Sequence, residues 1–389
     1  MSLFPSVLCV HFDNMASETL LETVRPAANS QVPEPRSGHR CAADDGNLYV
    51  FGGYSPHNEN YLYRELWRFN IATKTWHCVN TTGPFPNEVA SSCLVYDKGN
   101  LIVFGGSGVP FGESNSKKLH VCSLRRHQWF DLTKTYSDRE ESDGEGVSPI
   151  AGYGQSMVLS RDKELYVFGG TTGLEFNSYL YRYSFSNHTW EYVKSHNPPV
   201  PRYRHESVSD GERFYVIGGG MSNRDPAIFF QLEKIQSFNF GSKQWEEHVC
   251  YPSRTHGFPK RRRCHGCVIF NSVVYICGGY DGSNIFDDIW SLDLATFQWK
   301  KHHKVLPYPV YFHSAAVTPS GYMYVFGGVK TINSNEATRS NDVFRLCIAW
   351  QPLVERCWEV VTSCLEGKRN FHTDLKNLGV PHHFLERLK

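Results

Sequence analysis

Short apolar segments recur along the chain, and six of them end in a pair of glycines. They read YVFGG, IVFGG, YVFGG, YVIGG, YICGG and YVFGG, with the pairs at residues 52–53, 105–106, 169–170, 218–219, 278–279 and 327–328. Each pair is followed after 21 to 27 residues by a tryptophan, at Trp76, Trp129, Trp190, Trp245, Trp299 and Trp350. Short β-branched and aromatic runs bounded by turn residues are typical of strands. The pattern therefore predicts a chain built mainly from six β-repeats.

The repeat length indicates which β architecture to expect. Successive tryptophans lie 51 to 61 residues apart, which resembles the kelch repeat of about 50 residues better than the WD40 repeat of about 40–45. One four-stranded blade cannot bury both of its faces, so blades pack around a common axis. We therefore expect an all-β fold, a six-bladed kelch β-propeller over residues 33–350, with the tryptophans between blades and a small helical appendage at residues 351–389.

Two segments lack both the repeat and the apolar periodicity of a packed core. Residues 1–32 predict a mostly disordered leader, and the acidic, Ser/Gly-rich stretch at about 134–149 predicts a flexible surface loop. The start has a short apolar patch without a basic region before it, so a secretory signal is not expected. We expect a cytoplasmic or nuclear protein whose cysteines stay reduced.

Charge narrows the range of partners. The 40 Lys and Arg residues are balanced by 39 Asp and Glu residues, so bulk attraction to nucleic acid or to an anionic membrane is not expected. No apolar run approaches the 18 or so residues of a membrane helix. We therefore expect neither nucleic-acid nor membrane partners, and any basic site must be a local cluster.

The strand order of a blade predicts which residues share a surface. If strands a to d run antiparallel from the axis outwards, strand b ends at the glycine pair, and the b–c loop lies beside the start of strand a. Residues after each glycine pair and residues before each strand a therefore share one rim. This rim carries Tyr54, Ser107, Thr171, Gly220, Tyr280 and Val329 after the pairs, and PRSGH, PRYRH, KRRRCH and PVYFH before strand a.

Arginine is concentrated on this rim at the entries to the fourth and fifth blades. The R-x-x-H spacing favours packing roles for the histidines, which are His39, His205, His265 and His313. Arg204, Arg261 and Arg263 exceed one arginine per motif and would crowd like charge on the rim. Because guanidinium groups bind carboxylate or phosphate bidentately, the cluster beside tyrosines predicts a pocket for a small anion.

Signals for catalysis are weak. Cys264 and Cys267 form a lone C-x-x-C on a predicted innermost strand, whereas zinc would need a second pair of ligands and a redox motif would need a helix start. Structural thiols are the favoured interpretation. A propeller enzyme of the copper-oxidase kind would need a metal or a carboxylate–tyrosine centre at the axis. We therefore expect no catalysis, no cofactor and no bound metal.

The C-terminal residues change from strand to helix periodicity. Leu353, Cys357 and Val361 are spaced by four, Leu365 continues the stripe, and Pro352 suits the first turn of a helix. Two further short helices are predicted before the C-terminus. An appendage of this size is too small to fold alone, so it must dock on the propeller or on a partner.

Two motifs in this appendage resemble known binding elements. P-L-x-x-x-C-x-x-x-V at 352–361 resembles the BC-box that binds elongin C, and V-P-x-x-F-x-x-x-L at 380–388 resembles the cullin-2 box. With these motifs, and with PRYRHE, RRCHGC, ICGGYDG, PVYFHSAAVTP and LERLK, residues 33–389 resemble the kelch-domain-containing substrate receptors of cullin-2 ubiquitin ligases. The resemblance implies Leu353, Cys357 and Val361 as contacts of elongin B/C. It implies Val380, Pro381, Phe384 and Leu388 as contacts of cullin-2 with its RING subunit.

The same resemblance implies what the rim binds. In this family the propeller captures the C-terminal tail of a substrate, a degron with a free carboxylate and a small last residue such as Gly or Ala. Relatives place an arginine directly after the fourth glycine pair, where this chain has Gly220, so the carboxylate clamp must be rebuilt here. We expect Arg202, Arg204 and Arg263 to form it, with Arg224 as a reserve and Arg36, Tyr54, Tyr203, Tyr280 and Tyr311 around them. The alternatives are a non-ligase interaction scaffold and, third, a propeller enzyme.

Overall fold

A computed structural model describes residues 21–58, 60–133, 148–221, 229–333, 336–364 and 371–388. The predicted leader up to residue 20, Arg224, Leu365 and most of the acidic insertion lie outside these ranges.

The strands form six antiparallel sheets arranged as the blades of a propeller, which confirms the predicted fold. Blade 1 comprises β2 (Arg40–Ala43), β3 (Asn47–Phe51), β4 (Leu66–Asn70) and β5 (Thr75–Cys78), and blade 2 comprises β6 (Cys93–Asp97), β7 (Asn100–Phe104), β8 (Leu119–Ser123) and β9 (Gln128–Asp131). Blade 3 comprises β10 (Ser156–Leu159), β11 (Glu164–Phe168), β12 (Leu180–Ser184) and β13 (Thr189–Tyr192), and blade 4 comprises β14 (Glu206–Ser209), β15 (Arg213–Ile217), β16 (Lys234–Asn239) and β17 (Gln244–Val249). Blade 5 comprises β18 (Gly266–Phe270), β19 (Val273–Cys277), β20 (Asp288–Asp293) and β21 (Gln298–Val305).

Blade 6 is closed by the N-terminal part of the chain. Its sheet contains β22 (Val310–Tyr311), β23 (Ser314–Val317), β24 (Tyr322–Asn333) and β25 (Glu336–Cys347), and its outer strand is β1 (Leu21–Val24). β1 pairs antiparallel with β25, from Leu21 opposite Leu346 to Val24 opposite Val343. The expectation of disorder over residues 1–32 is therefore wrong from Leu21 onwards, and the propeller begins before residue 33. Pairing the first strand with the last blade fastens the ring, since both ends of the repeat array are held in one sheet.

Trp350 is correspondingly not a blade residue. It follows β25 outside any strand and is 88% exposed, because β1 already occupies the outer position of blade 6. The other five tryptophans lie on outer strands. Trp129 contacts Phe51 of the preceding blade at 5.4 Å and Trp190 contacts Phe104 of the preceding blade at 5.2 Å, as predicted for residues between blades.

The glycine pairs and the histidines pack together at the joints between blades. Gly278 has φ +60, and a Cβ there would lie 2.7 Å from Cε1 of His313 in the next blade. Gly279 has φ +100, and a Cβ there would lie 2.8 Å from Cβ of His265 in its own blade. Any side chain at either glycine would collide with an imidazole or its stem, so the paired glycines are required by close approach as well as by backbone conformation.

In the described part of the C-terminal region, three helices follow the propeller, namely α1 (Leu353–Ser363), α2 (Phe371–Asn377) and α3 (His382–Glu386). Their apolar cluster contains Trp358, Leu375, Phe384 and Leu385, and it reaches Ala72 in the β4–β5 turn. Arg387 pairs with Glu355 at 2.7 Å, and its carbonyl oxygen accepts a hydrogen bond of 3.0 Å from the Asn70 side chain. The helices therefore dock at the β4–β5 turn, on the face opposite to the glycine-pair rim. No described helix has the length and apolar character needed to cross a membrane.

Candidate functional site

The two predicted sets of rim residues lie next to each other. Bridges join Ser37 with Tyr54, Ala90 with Ser107, Tyr153 with Thr171, Tyr203 with Gly220 and Arg263 with Tyr280, and strand pairing joins Tyr311 with Val329. The residue two positions before the histidine position thus contacts the residue after the glycine pair in all six blades. This arrangement confirms that both sets share one rim.

A collar of backbone hydrogen bonds surrounds the axis at this rim. Its members are the residues immediately before the histidine position of each blade, which are Gly38, Ser91, Gly154, Arg204, Cys264 and Phe312. Each amide donates to the carbonyl of the preceding blade's member, at 2.7 Å for Ser91 and 3.1 Å for Cys264, and Gly38 closes the circle by donating to Phe312 at 3.0 Å. All six have positive φ, including the non-glycine Arg204 at 54°. The collar therefore fixes where the side chain of Arg204 begins.

The axis below the collar is occupied by an ion pair. Arg40 of blade 1 donates from Nη1 to Oε1 of Glu206 in blade 4 at 2.7 Å. The space between the collar and this pair is a cavity of about 30 Å³, room for about one water. A wider cavity of about 380 Å³ lies beyond the pair. A peptide chain on the rim therefore cannot pass along the axis beyond the collar.

Three arginines three positions before a histidine point into the blades. Arg36 is fully buried and pairs with Glu65 at 2.5 Å, and Arg262 is fully buried and pairs with Asp288 at 2.6 Å. Arg202 is 4% exposed and donates to Gln236 Oε1 at 2.8 Å and to the carbonyl of Gly218. The expectation that Arg36 and Arg202 contact a ligand directly is therefore corrected, because both guanidinium groups are bound inside their blades.

Blade 4 differs from blades 1 and 5 in the partner of this buried arginine. Arg202 forms no ion pair within the part of the chain that is described, and its hydrogen-bond partner is the neutral amide of Gln236. Burial lowers the pKa of Arg202 to about 10. Blade 4 therefore contains a buried positive charge that no carboxylate of the described residues neutralises.

Arg204 lies over the axis on the rim side of the collar. Its Nη1 donates to Ser91 Oγ of blade 2 at 3.1 Å, and its guanidinium carbon lies 4.2 Å from the centre of the Phe312 ring. Tyr153 and Phe111 lie further out, at 5.7 and 5.9 Å from the same carbon. Within the described ranges Arg204 forms no ion pair. Its charge is therefore presented to the pocket between aromatic rings.

Arg263 and Tyr203 form a second polar contact on the same rim. Arg263 is 7% exposed, donates from Nη1 to the Tyr203 hydroxyl at 2.8 Å and stacks over Phe229 at 4.5 Å. Burial raises the pKa of Tyr203, although Arg204 and Arg263 act in the opposite direction. Arg224, the reserve arginine, lies outside the described residues.

Arg339 is a rim arginine that the sequence prediction missed. It lies on β25 opposite Val329, the residue after the sixth glycine pair. Its Nε donates to Ser37 Oγ at 3.0 Å, and its guanidinium carbon lies 5.2 Å from the centre of the Tyr54 ring. The prediction considered residues before each strand a and in the loops after the glycine pairs, whereas the returning strand of the β24–β25 hairpin reaches the rim as well. Nothing in the glycine-pair pattern identifies a residue on that strand.

Aromatic rings lie between these arginines on the rim. Tyr280 and Tyr311 lie 5.4 Å apart, Tyr311 and Phe312 lie 4.9 Å apart, and Tyr54 lies 6.1 Å from Phe111. The predicted Tyr54, Tyr280 and Tyr311 are therefore brought to one surface, and Phe111 and Phe312 join them without having been predicted as lining residues.

The histidines and the C-x-x-C pair belong to the packed interior. Burial lowers the pKa of His39 to about 3 and that of His313 to about 4, and it holds the pKa values of His205 and His265 well below the ordinary value. Burial likewise raises the pKa of the Cys264 thiol. Among the described residues, no three His, Cys, Asp or Glu side chains are grouped so as to hold a metal ion.

The two box motifs are exposed to different degrees. On α1, Leu353 is 77% exposed and Cys357 is also exposed, whereas Val361 is half-buried against the helical cluster. Val354 and Val360 extend the exposed apolar face of α1, at 51% and 60% exposure. In the second motif Pro381 is exposed and Val380 and Leu388 are half-buried. Phe384, at 3% exposure, packs on Trp358 with ring centres 5.0 Å apart, so it holds the helices together.

Comparison with known proteins places the chain among kelch propellers. A family model described as the Attractin/LZTR1 beta-propeller matches residues 9–285 and 107–362. The chain is 44% identical over 371 residues to Kelch domain-containing protein 10 of Xenopus tropicalis, covering 92% of this chain and 86% of that protein. It is 43% identical over 371 residues to the human protein of that name, covering 92% and 80%. The Drosophila melanogaster homolog is 35% identical over 389 residues, covering 92% and 62%.

Proposed function

Because this chain belongs to the kelch domain-containing protein 10 family, whose propellers are protein-interaction modules, we propose that it is the substrate-recognition subunit of a cullin-2–elongin B/C ubiquitin ligase. In this role the rim pocket binds the C-terminal tail of a substrate in the cytoplasm or nucleus. The helices recruit elongin B/C and cullin-2 with its RING subunit, and these partners carry out ubiquitin transfer.

The position of Arg204 is the observation that carries the proposal. Its guanidinium group lies over the axis, is anchored by Ser91 and Phe312, and forms no ion pair with any described residue. Arg263 lies on the same rim, and Arg202 beneath it is paired with no described carboxylate. Such a cluster attracts an anion, and a guanidinium group binds a carboxylate through two parallel hydrogen bonds.

The closed floor favours a chain end over an internal peptide segment. A carboxylate that reaches Arg204 has the collar and the Arg40–Glu206 pair directly beneath it. A small last residue fits this depth because a bulky side chain would compete for space with Phe312 and Tyr153. The tail that suits the pocket therefore ends in a free carboxylate on Gly or Ala.

The exposed face of α1 supports recruitment at the opposite end of the propeller. Leu353, Val354, Cys357 and Val360 leave apolar surface in solvent next to Trp350, which is 88% exposed. Exposed apolar patches of this kind mark protein interfaces. Since the helices dock on the face away from the rim, a tail and elongin C can bind at the same time.

The tail proposal is tested by fluorescence anisotropy with a labelled peptide ending in Gly. The free acid should bind, and amidation of the C-terminus should remove most of the affinity because the charge-assisted hydrogen bonds are lost. Arg204→Gln should have the same effect as amidation. Arg161→Gln makes the same charge change at a residue whose side chain is 71% exposed and paired with Glu212, so it serves as the control. Equal binding of acid and amide by the unmodified protein contradicts the proposal.

Co-purification of elongin B/C distinguishes the proposed ligase receptor from the alternative, an interaction scaffold. Leu353→Asp with Cys357→Asp should abolish capture of elongin B/C and leave the propeller folded, because both side chains are exposed. Leu174→Asp is the matched control, because Leu174 is 94% exposed and lies in the loop between β11 and β12, away from α1. Failure of the unmodified chain to bind elongin C favours an interaction scaffold without ligase partners.

A further inference from the structure

We propose that Arg339 forms a second anion subsite of the rim pocket, which binds an acidic side chain a few residues before the substrate's terminal carboxylate. This inference rests on the proposed function, since it concerns the same tail in the same pocket. Arg339 stands where blade 6 meets blade 1, whereas Arg204 and Arg263 belong to blades 4 and 5. The pocket therefore has cationic groups on two sides.

The local contacts of Arg339 leave its outer edge available. Its Nε is used by Ser37 Oγ at 3.0 Å, and Ser37 Oγ in turn lies 3.4 Å from the carbonyl oxygen of Tyr54. Its two terminal nitrogens donate to no described atom, and it forms no ion pair with a described residue. A guanidinium group fixed through Nε presents two parallel N–H bonds, which is the geometry that a carboxylate accepts.

Among the described residues, none supplies a negative charge within ion-pair distance of Arg339. The ionisable groups that interact with it are Tyr54, Tyr63 and Tyr311, none of which is a carboxylate, and partial burial lowers the pKa of Arg339. Holding a cation in such a place is unfavourable unless a ligand brings an anion. One terminal carboxylate satisfies one guanidinium fork, and Arg204 already competes for it. A second carboxylate on the same tail is the simplest group that satisfies Arg339.

The distance between the two arginines suits neighbouring positions on one tail. Arg204 lies 4.2 Å from the Phe312 ring, and Phe312 lies 4.9 Å from the Tyr311 ring. Tyr311 and Arg339 lie opposite Val329 on the two strands that flank β24. The two guanidinium groups are therefore on the order of 10 Å apart, which an extended chain spans in about three residues. Asp or Glu at the second to fourth position from the end can reach Arg339 while the terminus reaches Arg204.

The test compares tails that differ by one charge. Free-acid peptides ending in Gly carry either Glu or Gln at each of the three preceding positions, and their affinities are measured for the unmodified chain, Arg339→Gln and the control Arg161→Gln. At one or more positions the unmodified chain and the control should bind the Glu peptide about fivefold more tightly than the Gln peptide. Arg339→Gln should remove this preference and keep the preference for free acid over amide.

Three outcomes overturn the inference. The first is equal binding of the Glu and Gln peptides by the unmodified chain at all positions, and the second is a preference for Glu that survives Arg339→Gln. The third is an equal loss of affinity for both peptides in that variant, which would assign Arg339 to a contact with a backbone carbonyl. Each leaves discrimination against the amide intact. Loss of that discrimination in the unmodified chain contradicts the proposed function instead, so the two failures are distinguishable.

Discussion

The buried arginine of blade 4 leads to a prediction in which stability and binding change in opposite directions. Gln236→Glu places a carboxylate oxygen where the amide oxygen now accepts a hydrogen bond from Arg202 at 2.8 Å. Blades 1 and 5 have this arrangement already, with Glu65 and Asp288 as the acids. The variant should therefore give blade 4 the ion pair that its counterparts possess.

The magnitude follows from the environment of Arg202. Burial lowers its pKa from 12.5 to about 10, which corresponds to about 3 kcal/mol of unfavourable free energy for the charged form. A carboxylate partner offsets part of this unfavourable free energy, but burying the new negative charge has a cost of its own. We expect Gln236→Glu to raise the free energy of unfolding by about 1–3 kcal/mol. We also expect weaker tail binding, because the positive potential beneath the pocket decreases.

Urea unfolding followed by tryptophan fluorescence measures the stability, and peptide anisotropy measures the affinity. Asp288→Asn is the matched control, since it converts the blade 5 pair into the arrangement of blade 4. It should lower the free energy of unfolding by about 3 kcal/mol, because Arg262 is left as a buried cation without its carboxylate. An unchanged or lower stability for Gln236→Glu would refute the view that Arg202 is an unneutralised charge.

Two further predictions concern the joints between blades. The buried histidines have folded pKa values far below the unfolded value of about 6.5, at about 3 for His39 and about 4 for His313. The stability that they contribute is therefore complete above pH 6.5 and is lost as pH falls towards 4, by about 2 kcal/mol per histidine at pH 5. A free energy of unfolding that is flat from pH 7 to pH 5 contradicts this. Gly327→Ala should destabilise the propeller by about 3 kcal/mol or more, because a Cβ would lie 2.7 Å from the His39 ring. The control Gly257→Ala, with similar positive φ and no atom within 4 Å, should lower the stability by only about 1–2 kcal/mol. Equal losses of stability in the two thermal melts would argue against the collision.

The repeating parts of the fold could be predicted from the sequence, and the parts that break the repeat could not. Six glycine pairs and a regular tryptophan spacing determine the blades and the shared rim, since topology relates them without any knowledge of side chains. The closing strand Leu21–Val24 is four residues long, and its partner lies more than 300 residues away. Nothing in the local sequence LETV identifies that pairing. Trp350 has the spacing of an outer-strand tryptophan, although β1 supplies the outer strand of blade 6.

The candidate site was predictable at the level of residue type and less so in orientation. Arg202 and Arg204 are two positions apart, yet one is bound inside blade 4 and the other lies on the axis. The difference follows from their offsets to His205: the third residue before a histidine points into the blade in blades 1, 4 and 5, whereas the residue directly before it belongs to the collar. Aligning the blades on their histidines separates the two classes. Arg339 could not be found in this way because it lies on a different strand of the blade.

The central claim is that one face of the propeller selects a tail while the other attaches it to the ligase. The direct test immobilises elongin B/C with cullin-2 and measures recruitment of a fluorescent protein whose tail ends in a free Gly carboxylate. Recruitment should require the chain and should be lost both with Arg204→Gln and with Leu353→Asp, whereas Arg161→Gln should support it fully. Absence of recruitment by the unmodified chain, or recruitment that survives either pocket or helix variant, would contradict the account.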